Sequence, residues 1–365
     1  MLDRRRCETA HVSEGELLVV SRDPLNAETI LEHQAGPITP IGRHYVRTHF
    51  PIPDAPGDVI LDGAVPEPTA ITLDDLRGLP RRTVAVTLEC AGNGRKFVVP
   101  SVPGEQWGLG AVGTAEWTGA SLRDVLERTG PLANATEVLF RGADEGIPKD
   151  LGKRIAYERS LPLADALRAD VLVAYAMNRA PIPPEHGGPL RLIVPGWYGM
   201  ASVKWLARIT LIDRAFAGFF QEDRYVIDGA PLRTIAPRAV ITAPADGAEI
   251  HADRSAAPIT VRGYAWSGAA PIVRVEVAAD PAKEVEARRL KDWRQATLGP
   301  ASDHAWREFS LELPSMVAAT GTMEMDLTPR AVDAAGNVQP QTAVRNALGY
   351  ANNASRSVRV RVVSG

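Results

Sequence analysis

The sequence predicts an α+β protein in two parts: a mixed α/β region over residues 1–235 followed by an all-β sandwich over 236–365. Three observations point there. At 365 residues the chain exceeds the usual size of one domain, and each of two domains would have enough apolar residues for its own core. Strand-like and helix-like runs alternate up to about residue 235, separated by glycine and proline. Beyond it the runs are uniformly of period two, at 240–243, 259–264, 273–277, 309–313 and 358–362, which is the pattern of an antiparallel β-sandwich.

The first fifty residues read as irregular, broken by Pro24, Pro37 and Pro40, and end in Tyr45-Val46-Arg47-Thr48-His49. If that stretch is extended, Arg47 and His49 share a face. Thr72 and Ser121 each precede a short apolar run with an aspartate three residues on, Asp75 and Asp124, so both are expected to cap helices; Gly130 is placed to end the second. Between the two lies Val84, Val86 and Leu88 alternating with Ala85, Thr87 and Glu89, a strand that stops close to Cys90.

Cys90-Ala91-Gly92-Asn93-Gly94-Arg95 is the stretch around which the chain is organised. A thiol at a strand end, beside permissive backbone and a guanidinium, suits a nucleophile or a soft metal ligand; a small buried hydrophobe is the plain structural alternative. Trp107 follows in a glycine-rich loop, as a core anchor or a pocket wall. Residues 137–141 and 170–177 read as strands, the first delivering Gly142-Ala143-Asp144 to a loop, with a helix over 161–169 between them. His186, Arg191 and Lys204 sit among glycines and prolines, either as donors to an anion or on a solvated basic loop. Asp333-Ala334-Ala335-Gly336-Asn337 is expected to turn late in the sandwich.

Composition removes several function classes. Lys plus Arg at 41 against Asp plus Glu at 44 gives a formal charge of −3, so nothing global favours nucleic acid or an anionic membrane. Cys7 and Cys90 make no disulfide framework and no CxxC or CxxCH site, which rules out haem attachment of that type. No apolar run is long enough to span a membrane. Arg4, Arg5 and Arg6 have no apolar stretch behind them, so a cytoplasmic location is expected, or a periplasmic one if the chain is a mature form.

Cys90-Ala91-Gly92-Asn93, Tyr45 to His49, Gly142-Ala143-Asp144, His186 to Arg191 and Ser202-Val203-Lys204-Trp205-Leu206, taken together, resemble the sulfite oxidase family of molybdenum enzymes. The resemblance implies a molybdopterin-binding domain followed by an immunoglobulin-like dimerisation domain, and hence a homodimer. It implies Cys90 as the protein ligand of molybdenum. Tyr45, Val46, Arg47, Thr48, His49, Asp144, His186, Arg191, Ser202, Val203 and Lys204 would hold the pterin and its phosphate. Arg47, Arg95, Trp107 and Tyr225 would form the substrate side. The implied reaction is oxidation of sulfite to sulfate by oxygen-atom transfer at the Cys90-ligated oxo-molybdenum centre. With no haem in this chain, electrons would leave to a separate acceptor, a c-type cytochrome or oxygen. Two positions depart from the animal enzymes: Gly94 stands where they have a first arginine, and Leu348 where they have a further pocket arginine. A different sulfur-containing substrate on the same cofactor is therefore one alternative, and a cofactor-free binding or assembly protein is another.

Overall fold

A computed structural model of the chain describes residues 16–252, 258–282, 292–314 and 322–364. Cys7 and the arginines at 4–6 lie outside the described residues. The protein is mostly β with few helices, rather than evenly α+β. The physical reason is helix length: the capped runs carry too few apolar turns to extend, and the three α-helices among the described residues span only Leu73–Gly78, Leu122–Thr129 and Leu163–Ala166.

The early residues are more regular than their prolines suggest. Leu17–Arg22 and Leu25–Thr29 form an antiparallel hairpin, and Val46–Arg47 pairs with its second strand, setting Asn26 opposite Arg47. Next comes a five-stranded sheet in which Arg81–Glu89, Val112–Ser121 and Leu172–Met177 lie side by side, the last also pairing with Ala180–Pro181 and Arg191–Ile193. A second five-stranded sheet runs in the order Thr69–Ile71, Val59–Gly63, Leu206–Ile212, Glu137–Gly146, Ile155–Pro162. Its central contact between Val59–Gly63 and Leu206–Ile212 is parallel.

Local expectations fare unequally. Thr72 caps as predicted: its hydroxyl accepts the Asp75 N–H at 3.0 Å and the Asp75 carboxylate accepts the Thr72 N–H at 3.0 Å. Thr72→Ala is therefore expected to lower stability by about 1 kcal/mol, read as an earlier urea midpoint at unchanged m-value. Ser121 stands at the N-cap but its buried hydroxyl makes no hydrogen bond, whereas Gly130 does end the helix at φ 69°. The helix expected over 161–169 shrinks to Leu163–Ala166, because the preceding strand pairs as far as Pro162 opposite Glu137. Conversely the strand predicted to stop at 141 continues to Gly146, and Asp144 lies in it where the register shifts between Arg141 and Glu145. Such an irregularity re-aims side chains, here toward the cavity described below.

Residues from Arg238 onward form two sheets. One orders Arg238–Ala243, Ile259–Trp266, Arg307–Leu313 and Thr297–Leu298; the other orders Glu249–Ala252, Val358–Ser364, Thr322–Asp333, Ile272–Pro281 and Trp293–Gln295. Val261 and Phe309 from the first share a core with Val275, Val277, Leu327, Val360 and Val362 from the second. The predicted late turn is present, with the Asp333 carboxylate accepting the Ala335 and Asn337 N–H groups and Gly336 at φ 84°. The opposite face of the four-stranded sheet packs on the first half of the chain through Tyr264, Trp266 and Trp306. There the Trp306 indole donates to the Pro37 carbonyl at 2.8 Å and the Tyr264 hydroxyl to that of Gly36 at 3.0 Å. No helix among the described residues is long and apolar enough to cross a membrane.

Candidate active site

Arg81–Glu89 ends one residue before Cys90, which is buried. Its N–H is tied to the Ala111 carbonyl at 2.9 Å and its carbonyl accepts the Asn93 N–H at 2.9 Å, so the thiol projects from a tight turn. Glycine at 92 lets the Arg95 guanidinium lie close against the turn, where a Cβ would displace it. Burial pushes the thiol above its ordinary range, and this outweighs the opposite pull of Arg47 and Arg95. The free thiol is thus neutral rather than an activated thiolate, and a bound cation would be needed to ionise it.

Cys90 lies where two cavities meet. Arg47, His49 and Tyr225 line both. The inner cavity, about 60 Å³, is walled by His44, Tyr45, Thr48, Asp144, His186, Arg191, Ser202 and Lys204. The outer one, about 380 Å³, continues past Arg95 to Lys149, Asp150 and Arg224 at its rim. The structure therefore brings together Arg47 and His49 from the predicted extended segment, as their alternation requires.

Arg191 is buried and Lys204 half-buried, neither on a solvated loop. The Lys204 ammonium reaches the Glu185 carbonyl at 3.0 Å and lies over the Trp205 ring at 4.0 Å. Its close approach to Gly187, at φ 94°, leaves no space for a side chain at 187. Arg191 donates to the His186 carbonyl at 2.5 Å and the Ser202 carbonyl at 3.0 Å, while its Nε has no partner. Burial lowers the Lys204 ammonium well below its usual range, with Arg191 adding repulsion, and raises the Asp144 carboxyl to about 6. Asp144 Oδ1 is buried with no hydrogen bond. A half-buried ammonium and a buried guanidinium with a free Nε, on the same cavity wall as a carboxylate oxygen without a hydrogen bond, are a poor arrangement for an empty protein interior and a fitting one for a polar dianion.

Not every predicted residue reaches a cavity. Val46 and Val203 line neither and pack into cores behind the wall, and the Ser202 hydroxyl is spent on the Val194 N–H at 3.0 Å. Trp107 is corrected from pocket wall to core: it is 0% exposed, lines neither cavity and packs with Leu88 and Trp117. Tyr225 is in place. Its hydroxyl shares a 2.6 Å hydrogen bond with His49 Nε2, and its ring stacks on Tyr350 at 5.2 Å. Burial raises the phenol and lowers the imidazole, so both are neutral at pH 7.

Several site residues escaped the sequence reading. His44 walls the inner cavity edge-on to His186 at 5.3 Å, and burial lowers its imidazole to about 4. Tyr157 lines the inner cavity and Tyr350 the outer one. Adjacency to Tyr45 was the one available signal for His44; Tyr350 reaches the site from the far end of the chain, and no local pattern shows that. Glu89 is engaged beside Cys90: its carboxylate accepts from Asn93 Nδ2 at 2.9 Å and Trp266 Nε1 at 2.8 Å, and pairs with Arg238 at 3.3 Å.

Residues 49–220 match the family model of the oxidoreductase molybdopterin-binding domain, and residues 232–363 that of the Mo-co oxidoreductase dimerisation domain. Sulfite oxidase of Gallus gallus is 35% identical over 89% of this chain and 73% of its own length. The chain belongs to the sulfite oxidase family. The mitochondrial sulfite oxidase of Drosophila melanogaster is 35% identical over 94% of this chain, which spans 63% of that relative's length. A bean nitrate reductase [NADH], from Phaseolus vulgaris, is 32% identical over 94% of this chain and 42% of its own. Among solved structures, the sulfane dehydrogenase SoxCD from Paracoccus pantotrophus superposes with a TM-score of 0.76 at 28% identity, covering 92% of this chain and 84% of that one. The cofactor of a sulfite oxidase family domain is molybdopterin with molybdenum, and the unsatisfied polar atoms of the inner cavity together with the soft thiol at its mouth fit that group.

Proposed function

We propose that the chain is an oxidoreductase that converts sulfite to sulfate and passes the electrons to a separate acceptor, a c-type cytochrome or oxygen. What carries this reading is Cys90, buried between an inner cavity suited to a dianion and an outer cavity bearing Arg47 and Arg95. When bound, the cofactor supplies a centre that accepts two electrons and exchanges an oxygen atom. Cys90 would be its protein ligand; Arg191, Lys204, Asp144 and His186, with Tyr45, Thr48 and His49, would hold the pterin and phosphate. Val46, Ser202 and Val203 would act through packing and backbone.

Arg47 and Arg95 would draw sulfite to the Cys90 mouth and offset its charge there. The Tyr225 and His49 pair, neutral and in direct contact, would hold a proton at the phenol oxygen beside the anion. Residues 236–365 are proposed to be the immunoglobulin-like half, with the domain boundary at 235/236, and to pair two chains as a homodimer.

The test is metal analysis of protein from a cofactor-competent host together with sulfite-dependent reduction of ferricyanide. One molybdenum per chain with turnover is expected. Molybdenum-free protein would leave the cofactor-free binding role, and loaded protein inert to sulfite would leave another substrate. The volume of the outer cavity and the presence of Leu348 in its wall favour a second substrate larger than sulfite.

A further inference from the structure

The outer cavity is chemically mixed. Its lining combines the cations Arg47 and Arg95, with Lys149, Asp150 and Arg224 at the rim, and the apolar or aromatic groups Leu348, Tyr350, Phe219, Phe220 and Phe50. Arg47 and Arg95 are each already committed in part. Arg95 gives Nε to the Leu348 carbonyl and Nη1 to the Glu105 carbonyl, both at 2.8 Å, and its guanidinium lies 5.3 Å from the Tyr350 ring. Arg47 gives Nη1 to Asn26 Oδ1 at 3.0 Å and to the Thr48 carbonyl. These acceptors are carbonyls, so the positive charges remain for an anion while the number of donors left to grip it is small.

The outer cavity, about 380 Å³ including the space beside Cys90 that the cofactor would take, is larger than a four-heavy-atom anion needs. Sulfite, with four heavy atoms, would leave water standing against Leu348 and the phenylalanines, an arrangement that gains nothing from the apolar wall. Replacing one sulfite oxygen by a carbon substituent removes one negative charge, keeps the sulfur lone pair and supplies an apolar group for that wall.

We propose that the chain oxidises organic sulfinates, R–SO2⁻, with the substituent seated against Leu348 and its aromatic neighbours and the sulfinate oxygens facing Arg47 and Arg95. The carbon–sulfur bond is kept. The sulfur gains one oxygen that derives from water, giving R–SO3⁻; two protons go to solvent and two electrons pass to one-electron acceptors of the kind ferricyanide represents. Leu348 is the specificity-determining residue, since it adds an apolar surface to the cavity that holds the two guanidinium groups. This inference rests on the cofactor assignment proposed above.

The experiment measures kcat/KM of the molybdenum-loaded protein for benzenesulfinate, methanesulfinate and sulfite, and by calorimetry the affinity for the products benzenesulfonate and sulfate. Benzenesulfinate is expected to exceed methanesulfinate by about tenfold or more, the scale on which pocket contacts with apolar groups discriminate. Leu348→Arg should invert the order in favour of sulfite and tighten sulfate; Leu348→Ala, which adds no charge, should erase the benzene preference and weaken benzenesulfonate alone. Turnover of sulfite without either sulfinate overturns this proposal and leaves the sulfite reading intact. Inertness of loaded protein toward all three overturns both.

Discussion

Cys90→Ser gives a folded protein whose sulfite turnover falls by more than the 10- to 100-fold that loss of a group merely supporting a metal ligand costs. The fold survives, because the Cys90 N–H to Ala111 bond and the Asn93 N–H to Cys90 carbonyl bond are untouched by the side chain. What changes is the donor atom. A hard, weakly acidic hydroxyl replaces a soft sulfur at the one buried thiol among the described residues. Steady-state ferricyanide reduction, molybdenum content and the urea midpoint check this in one set of samples. Turnover within tenfold of the unsubstituted protein would remove Cys90 from the chemistry, and a collapsed urea midpoint would show that the thiol serves the core instead.

Glu89→Ala is the second large effect, expected on stability at about 3–5 kcal/mol. Glu89 and Arg238 are each 2% exposed, and the carboxylate also takes the Asn93 amide and the Trp266 indole. Removing it strands a buried guanidinium and two donors at once, and the cost of uncompensated burial exceeds the modest worth of the pair itself. The surface pair of Arg208 and Asp62 is the internal control, since an Arg208→Ala change there should cost under about 1 kcal/mol. Urea unfolding of the two variants checks the contrast, and equal losses would mean that the buried pair has no special weight. The same change should disturb the site, because Arg238 donates to the Asn93 carbonyl within the Cys90 loop.

That loop shows why the site was only partly legible. Cys90, Arg47, His49, Asp144, Arg191 and Lys204 could be chosen because each residue type advertises its chemistry and stands in a local pattern. Trp107 was chosen the same way and lies in the core, since an indole serves a wall or a core equally well and its neighbours decide. The clamp on the other side of the loop had no local sign. Ala351 donates to the Ala91 carbonyl at 2.9 Å, Asn352 to that of Gly94 at 2.8 Å, and the Leu348 carbonyl holds Arg95, all from over 250 residues away.

The sequence by itself determined the strand that delivers Cys90, the period-two texture of the second half, the Thr72 cap and the glycine stop at Gly130. Each depends on residues within a few positions of one another, where side-chain period and hydrogen-bond geometry act directly. Only the tertiary structure decided which cations are buried, that Asp144 is turned inward by an irregular strand, that Leu348 lines one cavity together with Arg47 and Arg95, and that Glu89 is locked to Arg238 and Trp266. Those facts are long-range: they follow from which surfaces close on one another when two halves of the chain pack, and burial then sets the charge and the chemistry of every group left inside.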